Sequence, residues 1–331
     1  MDFYELDLND QVLDALDDMN FIDCTPIQEH AIPAILEGRD VIGVAQTGTG
    51  KTAAYVLPVL SRLCDNPGPE NKISCIIMSP TRELAQQIDQ SLAGFSYYVP
   101  ISSVAVYGGN DGIRYEQEKR GLTMGADIII ATPGRLISHL SLSNIDLSGV
   151  KYFILDEADR MLDMGFSDDI LQIEKMLPRE RQTILFSATM PAKIQQLART
   201  ILKDPVEIKI AVSKPAEKIK QEVVFCCEVE KLKAVKWLFT HYPTQRVIIF
   251  ASSKIKVKDI ARALLRKGFN VGEMHSDLDQ KERDAVMYSF KTQQIDILVA
   301  TDIVARGIDI DDIQLVVNYD LPHDAEDYVH R

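Results

Sequence analysis

The sequence predicts an α/β protein made of two tandem units, each a parallel β-sheet flanked by helices. Short, near-continuous apolar runs alternate with helix-period stretches from end to end, the mark of strands covered on both faces. The runs fall into two series separated by a polar stretch. The 331 residues, 46% apolar and 26% charged, suit a globular chain of about two domains.

The first series is VIGVA (41–45), SCIIMSP (74–80), ADIIIATP (126–133), KYFILDE (151–157) and QTILFSAT (182–189). The second is QEVVFCCEV (221–229), RVIIFASS (246–253), DILVATD (296–302) and IQLVVNYD (313–320). Each is rich in β-branched residues and bounded by turn or polar residues, which reads as a buried strand. AVSKPAEKIK (211–220) contains Pro215 and little to bury, so it reads as a linker. The expected organisation is an N-terminal domain over 1–210, a linker over 211–220 and a C-terminal domain over 221–331.

The formal net charge of −13 argues at first against a nucleic-acid partner. Its distribution weakens that argument: residues 1–211 carry 30 acids against 18 bases, whereas residues 212–331 carry 19 against 18. An acidic N-terminal surface can coexist with a local basic groove. The start, MDFYELDLND, has no basic or apolar signal region, and no apolar run approaches the roughly 18–20 residues of a membrane span, so a cytoplasmic protein is expected. Cys24, Cys64, Cys75, Cys226 and Cys227 form no C-x-x-C pair, which predicts buried or inert thiols rather than disulfides or zinc.

The strand VIGVA runs into Ala45-Gln46-Thr47-Gly48-Thr49-Gly50-Lys51-Thr52 and then a helical pattern. Gly48 and Gly50 let the backbone curl so that its N–H groups face an anion, helped by the helix N-terminus. Lys51 can reach the β- and γ-phosphates of a nucleotide, and the Thr52 hydroxyl can ligate Mg²⁺. Ala45 stands where the strict pattern has Gly, a tolerated small-residue variant. After KYFIL, Asp156 is positioned to hold the metal and Glu157 to polarise the attacking water. On their own, these acids also read as caps of the following helix.

With these elements in view, the chain resembles the DEAD-box ATP-dependent RNA helicases, and among them the bacterial RhlE-type enzymes, over nearly its whole length. The motifs are Phe21 with Thr25-Pro26-Ile27-Gln28, Pro80-Thr81-Arg82-Glu83-Leu84, Gly108-Gly109, Thr132-Pro133-Gly134-Arg135, Asp156-Glu157-Ala158-Asp159, Ser187-Ala188-Thr189, Gln280 with Arg283, and Thr301-Asp302 through Ala305-Arg306-Gly307-Ile308-Asp309. The resemblance implies two RecA-like domains that close on ATP and single-stranded RNA. It implies that Gln28 reads adenine, that Phe21 stacks on the base and that Asp309, beside Gly307, bonds the ribose. Thr-Pro-Ile-Gln alone also reads as an ordinary helix start, and Phe3, which sits where the family has another aromatic, reads equally as core packing.

By the same resemblance, RNA contacts come from Pro80, Thr81, Arg82, Gly109, Thr132, Pro133, Gly134 and Arg135 in the first domain. Lys254, Arg283, Thr301 and Arg306 supply them in the second. Such amide, hydroxyl and arginine groups grip phosphates and sugars without reading bases. Ser187 and Thr189 are expected to link Asp159 to the γ-phosphate state, or else to cap the helix at Pro191.

The chain ends Tyr328-Val329-His330-Arg331, inside the family signature H-R-x-G-R-x-x-R, whose two later arginines act as fingers on the γ-phosphate. An incomplete C-terminal domain of a longer helicase is therefore expected. The functions in view are an RNA-dependent ATPase that unwinds or remodels short duplexes and, as the alternative, an ATP-dependent RNA clamp with little turnover.

Overall fold

The computed structural model describes residues 1–46, 48–108, 112–210, 219–241, 246–301, 313–322 and 328. The chain divides into two compact units, Met1–Ser213 and Lys214–Arg331.

In the first unit the strands are β1 (Val41–Val44), β2 (Cys75–Met78), β3 (Ser103–Val106), β4 (Ile128–Ala131), β5 (Tyr152–Leu155), β6 (Gln182–Ser187) and β7 (Val206–Lys209). They form one parallel sheet in the order β3-β4-β2-β5-β6-β1-β7. The helices are α1 (Asp10–Asp18), α2 (Pro26–Leu36), α3 (Lys51–Asp65), α4 (Arg82–Phe95), α5 (Gly112–Met124), α6 (Pro133–Leu142), α7 (Ala158–Asp163), α8 (Ser167–Met176) and α9 (Ala192–Ile201).

Alternation along each strand splits the apolar side chains between two cores. Val41, Cys75, Ile77, Ile128, Ile130, Ile154, Ile184 and Phe186 face a core closed by α1, α2, α3 and α4. Ile42, Val44, Ile76, Met78, Ile129, Phe153, Leu155 and Leu185 face the opposite core, closed chiefly by α6, α7, α8 and α9. Gly43 is paired in register with Phe186, and a Cβ there would lie 2.3 Å from the Phe186 ring. The missing side chain is what lets that ring fill the space over β1.

The second unit contains α10 (Lys231–His241), β8 (Val247–Phe250), α11 (Lys254–Leu265), β9 (Val271–Met274), α12 (Gln280–Lys291), β10 (Ile297–Ala300) and β11 (Leu315–Asn318). Its described strands are parallel in the order β11-β8-β10-β9. Val247, Ile249 and Val299 face α10 and α11, while Ile248, Phe250 and Leu298 face Phe290 of α12.

The α/β class and the parallel sheets agree with the sequence reading, with three departures. QEVVFCCEV is not a strand: residues 221–227 lack regular structure and Glu228–Glu230 form a 3-10 turn, with Phe225 96% exposed. High β-propensity is not enough there, because the run meets no described strand edge to satisfy its backbone. For the same reason Cys226 and Cys227 are exposed, so of the expected buried or inert thiols these two are not buried, whereas Cys75 is buried and burial pushes its thiol far up. The strands β3, β7 and β9 appear where no strand was expected. The expected linker falls mostly on residues 211–218, outside the described residues.

Candidate nucleotide and RNA site

The sheet order sorts the candidate residues into two neighbouring groups at one edge. Parallel α/β sheets offer ligand sites where strands end and helices begin. The loops after β1, β5 and β6, consecutive in the sheet, carry the phosphate-loop, Asp156–Asp159 and Ser187–Thr189 residues. The loops after β3, β4 and β2, also consecutive, carry Gly108, Thr132–Arg135 and Pro80–Arg82.

In the phosphate loop, Gly48 and Gly50 have φ of +80° and +86°, the left-handed region that glycine occupies without strain. The Thr49 hydroxyl donates to the Gln46 carbonyl at 2.6 Å and closes the turn, while Thr47 lies outside the described residues. Lys51 opens α3, and its Nζ is buried with no hydrogen-bond partner among the described residues. A buried ammonium without a partner is expensive, and a phosphate oxygen would satisfy it. The loop thus fits a nucleotide.

Gln28 is 2% exposed and spans from its own helix start to this loop. Its Oε1 accepts from the Thr25 N–H at 2.8 Å, and its Nε2 donates to the Gly50 carbonyl at 3.0 Å. A Cβ on Gly50 would lie 2.4 Å from that Nε2, so glycine is also required for the approach. Both the helix-start reading and a role at the loop therefore hold. Each end of the amide retains one bonding position, enough for a two-point contact with a base. Phe21 meets Phe95 edge-on at 5.8 Å and remains partly exposed, and Phe3 is buried in the core as a packing residue.

Asp156 ends β5 with its N–H donating to the Met78 carbonyl at 3.0 Å. Its Oδ1 accepts the Glu157 N–H at 2.9 Å and its Oδ2 accepts the Tyr55 hydroxyl at 2.8 Å. Burial pushes the Asp156 carboxyl up to about 6; the Lys51 ammonium pulls it down, the Glu157 charge adds to the rise and the Tyr55 bond opposes it. Thr52 stands three residues before Tyr55 on α3, so the phenol that bonds Asp156 rises from the helix that carries the other expected metal ligand. A hydroxyl and a carboxylate are hard oxygen donors suited to Mg²⁺.

Glu157 sits at φ 50°, ψ 51°, a left-handed conformation uncommon for a residue with a side chain, and makes no side-chain cap to α7. The capping reading therefore fails for it. Its Oε2 accepts Arg160 Nη1 at 3.3 Å, a buried pair that fixes its direction. Asp159 Oδ2 accepts the N–H groups of Ala188 and Thr189 and the Thr189 hydroxyl, while the Asp159 N–H donates to Ser187 Oγ at 3.3 Å. Helix α9 is capped at Pro191 with no side-chain bond, so the contact with Asp159 is what the structure selects for Ser187 and Thr189.

On the neighbouring half of the edge, Thr81 caps α4, its hydroxyl accepting the Leu84 N–H, and Arg82 opens that helix behind buried Pro80. Thr132 precedes α6, Pro133 is its first residue, Gly134 is exposed and Arg135 follows. Gly108 lies against Arg135, and Gly109 lies outside the described residues. In the second unit Lys254 opens α11 and pairs with Asp277 at 2.7 Å, a carboxylate it shares with Lys258. Arg283 Nη2 donates to the Ser276 carbonyl at 3.5 Å, and Thr301 closes β10. Arg306, Gly307 and Asp309 lie outside the described residues.

Residues 25–197 match the family model described as DEAD/DEAH box helicase, and residues 230–331 match the helicase conserved C-terminal domain. The chain belongs to the DEAD/DEAH box helicase family. The ATP-dependent RNA helicase CshA of Listeria monocytogenes is 42% identical over 330 residues, covering 99% of this chain and 62% of that protein. The ATP-dependent RNA helicase DeaD of Escherichia coli is 41% identical, covering 99% of this chain and 52% of that protein. The chain thus spans between half and two thirds of these relatives' length. Among solved structures, Dbp5 of S. cerevisiae bound to RNA and ADP BeF3 covers 100% of this chain and 85% of its own at a TM-score of 0.87 and 32% identity. Tandem RecA-like domains are the fold of this DEAD-box chain.

Two groups of the site lay outside the sequence reading. Tyr55 was legible only as one more apolar-face residue, although its position three after Thr52 puts both on one face of α3. Glu118, in the middle of polar α5, is 2% exposed. It accepts the Gly108 N–H at 3.0 Å, Arg135 Nε at 2.7 Å and faces His139 Nε2 at 2.8 Å. Burial raises its carboxyl, and the bonds from His139, Arg135 and Gly108 outweigh that and hold it below its ordinary value. One buried carboxylate therefore ties the Gly108 turn to Arg135 of α6, with Arg135 also stacked over the Tyr115 ring.

Proposed function

We propose that this chain carries the ATP- and RNA-binding machinery of an ATP-dependent RNA helicase that grips the RNA backbone and locally unwinds or remodels short duplexes. The observation that carries this reading is the buried Lys51 ammonium at the start of α3, which has no hydrogen-bond partner among the described residues and whose charge acts on the Asp156 carboxyl. An anion completes that arrangement. The relatives named ATP-dependent RNA helicase and the Dbp5 complex with RNA and ADP BeF3 support ATP and RNA as its ligands.

Gln46, Thr47, Gly48, Thr49 and Gly50 wrap the phosphates with backbone N–H groups, and Lys51 neutralises the β- and γ-oxygens. Thr52 and Asp156 would hold Mg²⁺, which neutralises phosphate charge when bound. Gln28 contacts the adenine edge through its two remaining bonding positions, with Phe21 beside the base. Glu157, aimed by Arg160, takes the proton of the attacking water. Asp159 carries the state of the γ-phosphate to Ser187 and Thr189. Pro80–Arg82, Gly109 and Thr132–Arg135 hold RNA phosphates and riboses on the adjacent half of the edge. Lys254, Arg283, Thr301 and Arg306 serve RNA in the second domain, and Gly307 and Asp309 serve the nucleotide. A division into 1–210 and 221–331 around the linker 211–220, and action in the cytoplasm, belong to the same reading.

Steady-state ATP hydrolysis tests it, with RNA or DNA of equal sequence added, on this chain and on one extended beyond Arg331. Turnover stimulated by RNA over DNA is expected, and equal stimulation by both rejects the RNA assignment.

A further inference from the structure

Beside Asp156 stands a buried polar group that the mechanism above does not use. Tyr55 is wholly enclosed in α3, its ring lying 5.5 Å from that of Phe186, yet its hydroxyl reaches across to the end of β5. A phenol buried among apolar groups needs a partner for its O–H, and this one donates to Asp156 Oδ2 at 2.8 Å. Oδ1 of the same carboxylate is fixed by the Glu157 N–H at 2.9 Å. Asp156 is thereby held at both oxygens, and each oxygen keeps one lone pair for a further ligand.

We propose that Tyr55 is a positioning residue for the Mg²⁺ of the nucleotide: its hydroxyl holds Asp156 Oδ2 and sets the direction in which that carboxylate presents oxygen. This inference rests on the nucleotide reading given above. Side chains that orient a metal ligand from behind commonly carry a factor of about 10–100 in metal affinity, because without them the ligand samples orientations that do not bind. Neither expected ligand changes identity when Tyr55 is altered. What changes is how often the Asp156 carboxylate points the right way.

Tyr55→Phe removes one oxygen and keeps the ring against Phe186. Binding of a fluorescent, non-hydrolysable ATP analogue is measured first in EDTA and then across a Mg²⁺ titration, beside thermal unfolding. The expected result is unchanged affinity in EDTA together with a Mg²⁺ midpoint raised about tenfold. Phe186→Leu, which loosens the ring and leaves the hydroxyl, is the companion variant. It should lower thermal stability and leave the Mg²⁺ midpoint where it is. A Tyr55→Phe midpoint equal to that of the unmodified chain overturns the proposal. So does a loss of EDTA binding as large as the loss in Mg²⁺, or an equal midpoint shift in Phe186→Leu, since either assigns Tyr55 to packing alone. Failure of the unmodified chain to bind the analogue at all contradicts the nucleotide reading itself, and the proposal falls with it.

Discussion

Thr189 and Asp159 meet twice, the Thr189 N–H and the Thr189 hydroxyl each donating to Asp159 Oδ2 at 2.9 Å. Of these two bonds, Thr189→Ala removes only the second. A hydrogen bond to a charged acceptor contributes about 1.5–3 kcal/mol, so Thr189→Ala is expected to destabilise the first unit by about that amount. Asp159→Ala strands the N–H groups of Ala188 and Thr189 as well and should cost more. Denaturant midpoints of the two variants check the order, and an Asp159→Ala chain as stable as Thr189→Ala contradicts it.

Glu157 and Lys51 separate chemistry from binding. Glu157→Gln keeps size and hydrogen-bonding reach but cannot take a proton, so hydrolysis should fall by about 10²–10⁴ with ATP and RNA binding retained. Lys51→Ala should instead weaken nucleotide binding itself, by about 2–5 kcal/mol, as one partner of a buried charge contact is lost. Turnover retained in Glu157→Gln removes Glu157 from the base role.

The Asp156 carboxyl titrates near 6 in the nucleotide-free chain, against an ordinary value of 3.8, so between those values the folded state binds more protons than the unfolded state. Its contribution to stability therefore falls as pH rises from about 4 to about 6. Salt-bridged Asp320, held low by Lys256 and Ser252 against its burial, works in the opposite sense. The difference between the unmodified chain and Asp156→Asn isolates the first effect. The stability deficit of the unmodified chain should grow across that interval, and a pH-independent difference contradicts the assignment.

Arg135 is held by Glu118 beside the Gly108 turn. Arg135→Ala should weaken single-stranded RNA equally for unrelated sequences and reduce the slope of log affinity against log salt by about 0.7, the share of one phosphate contact. Glu118→Gln should produce a smaller loss with the same lack of sequence preference. Anisotropy titrations at several salt concentrations check both, and a loss confined to one sequence contradicts backbone recognition.

What was legible in the sequence follows from where each side chain finds its partners. The strand, loop and helix around Gly48–Lys51 and the Asp156–Asp159 tetrad are local patterns, and they stand where the residues placed them. The strands β3, β7 and β9 are each at a sheet edge, with partly exposed faces (Ser103, Glu207, Glu273), so they lack the continuous apolar run that marks an inner strand. QEVVFCCEV failed in the opposite direction, having the run without a described strand to pair with. Glu118 and Tyr55 were hidden because their partners come from other elements, on α6 and after β3 for Glu118 and after β5 for Tyr55. No spacing within α5 or α3 announces such contacts.

The most direct measurement is single-stranded RNA binding by this 331-residue chain without nucleotide, with ADP and with a non-hydrolysable ATP analogue, all in Mg²⁺. If Asp159 passes the nucleotide state through Ser187 and Thr189 to the neighbouring half of the sheet edge, RNA binds more tightly with the ATP analogue than with ADP, and by linkage the analogue binds more tightly with RNA. Equal RNA affinity in all three states would contradict that coupling.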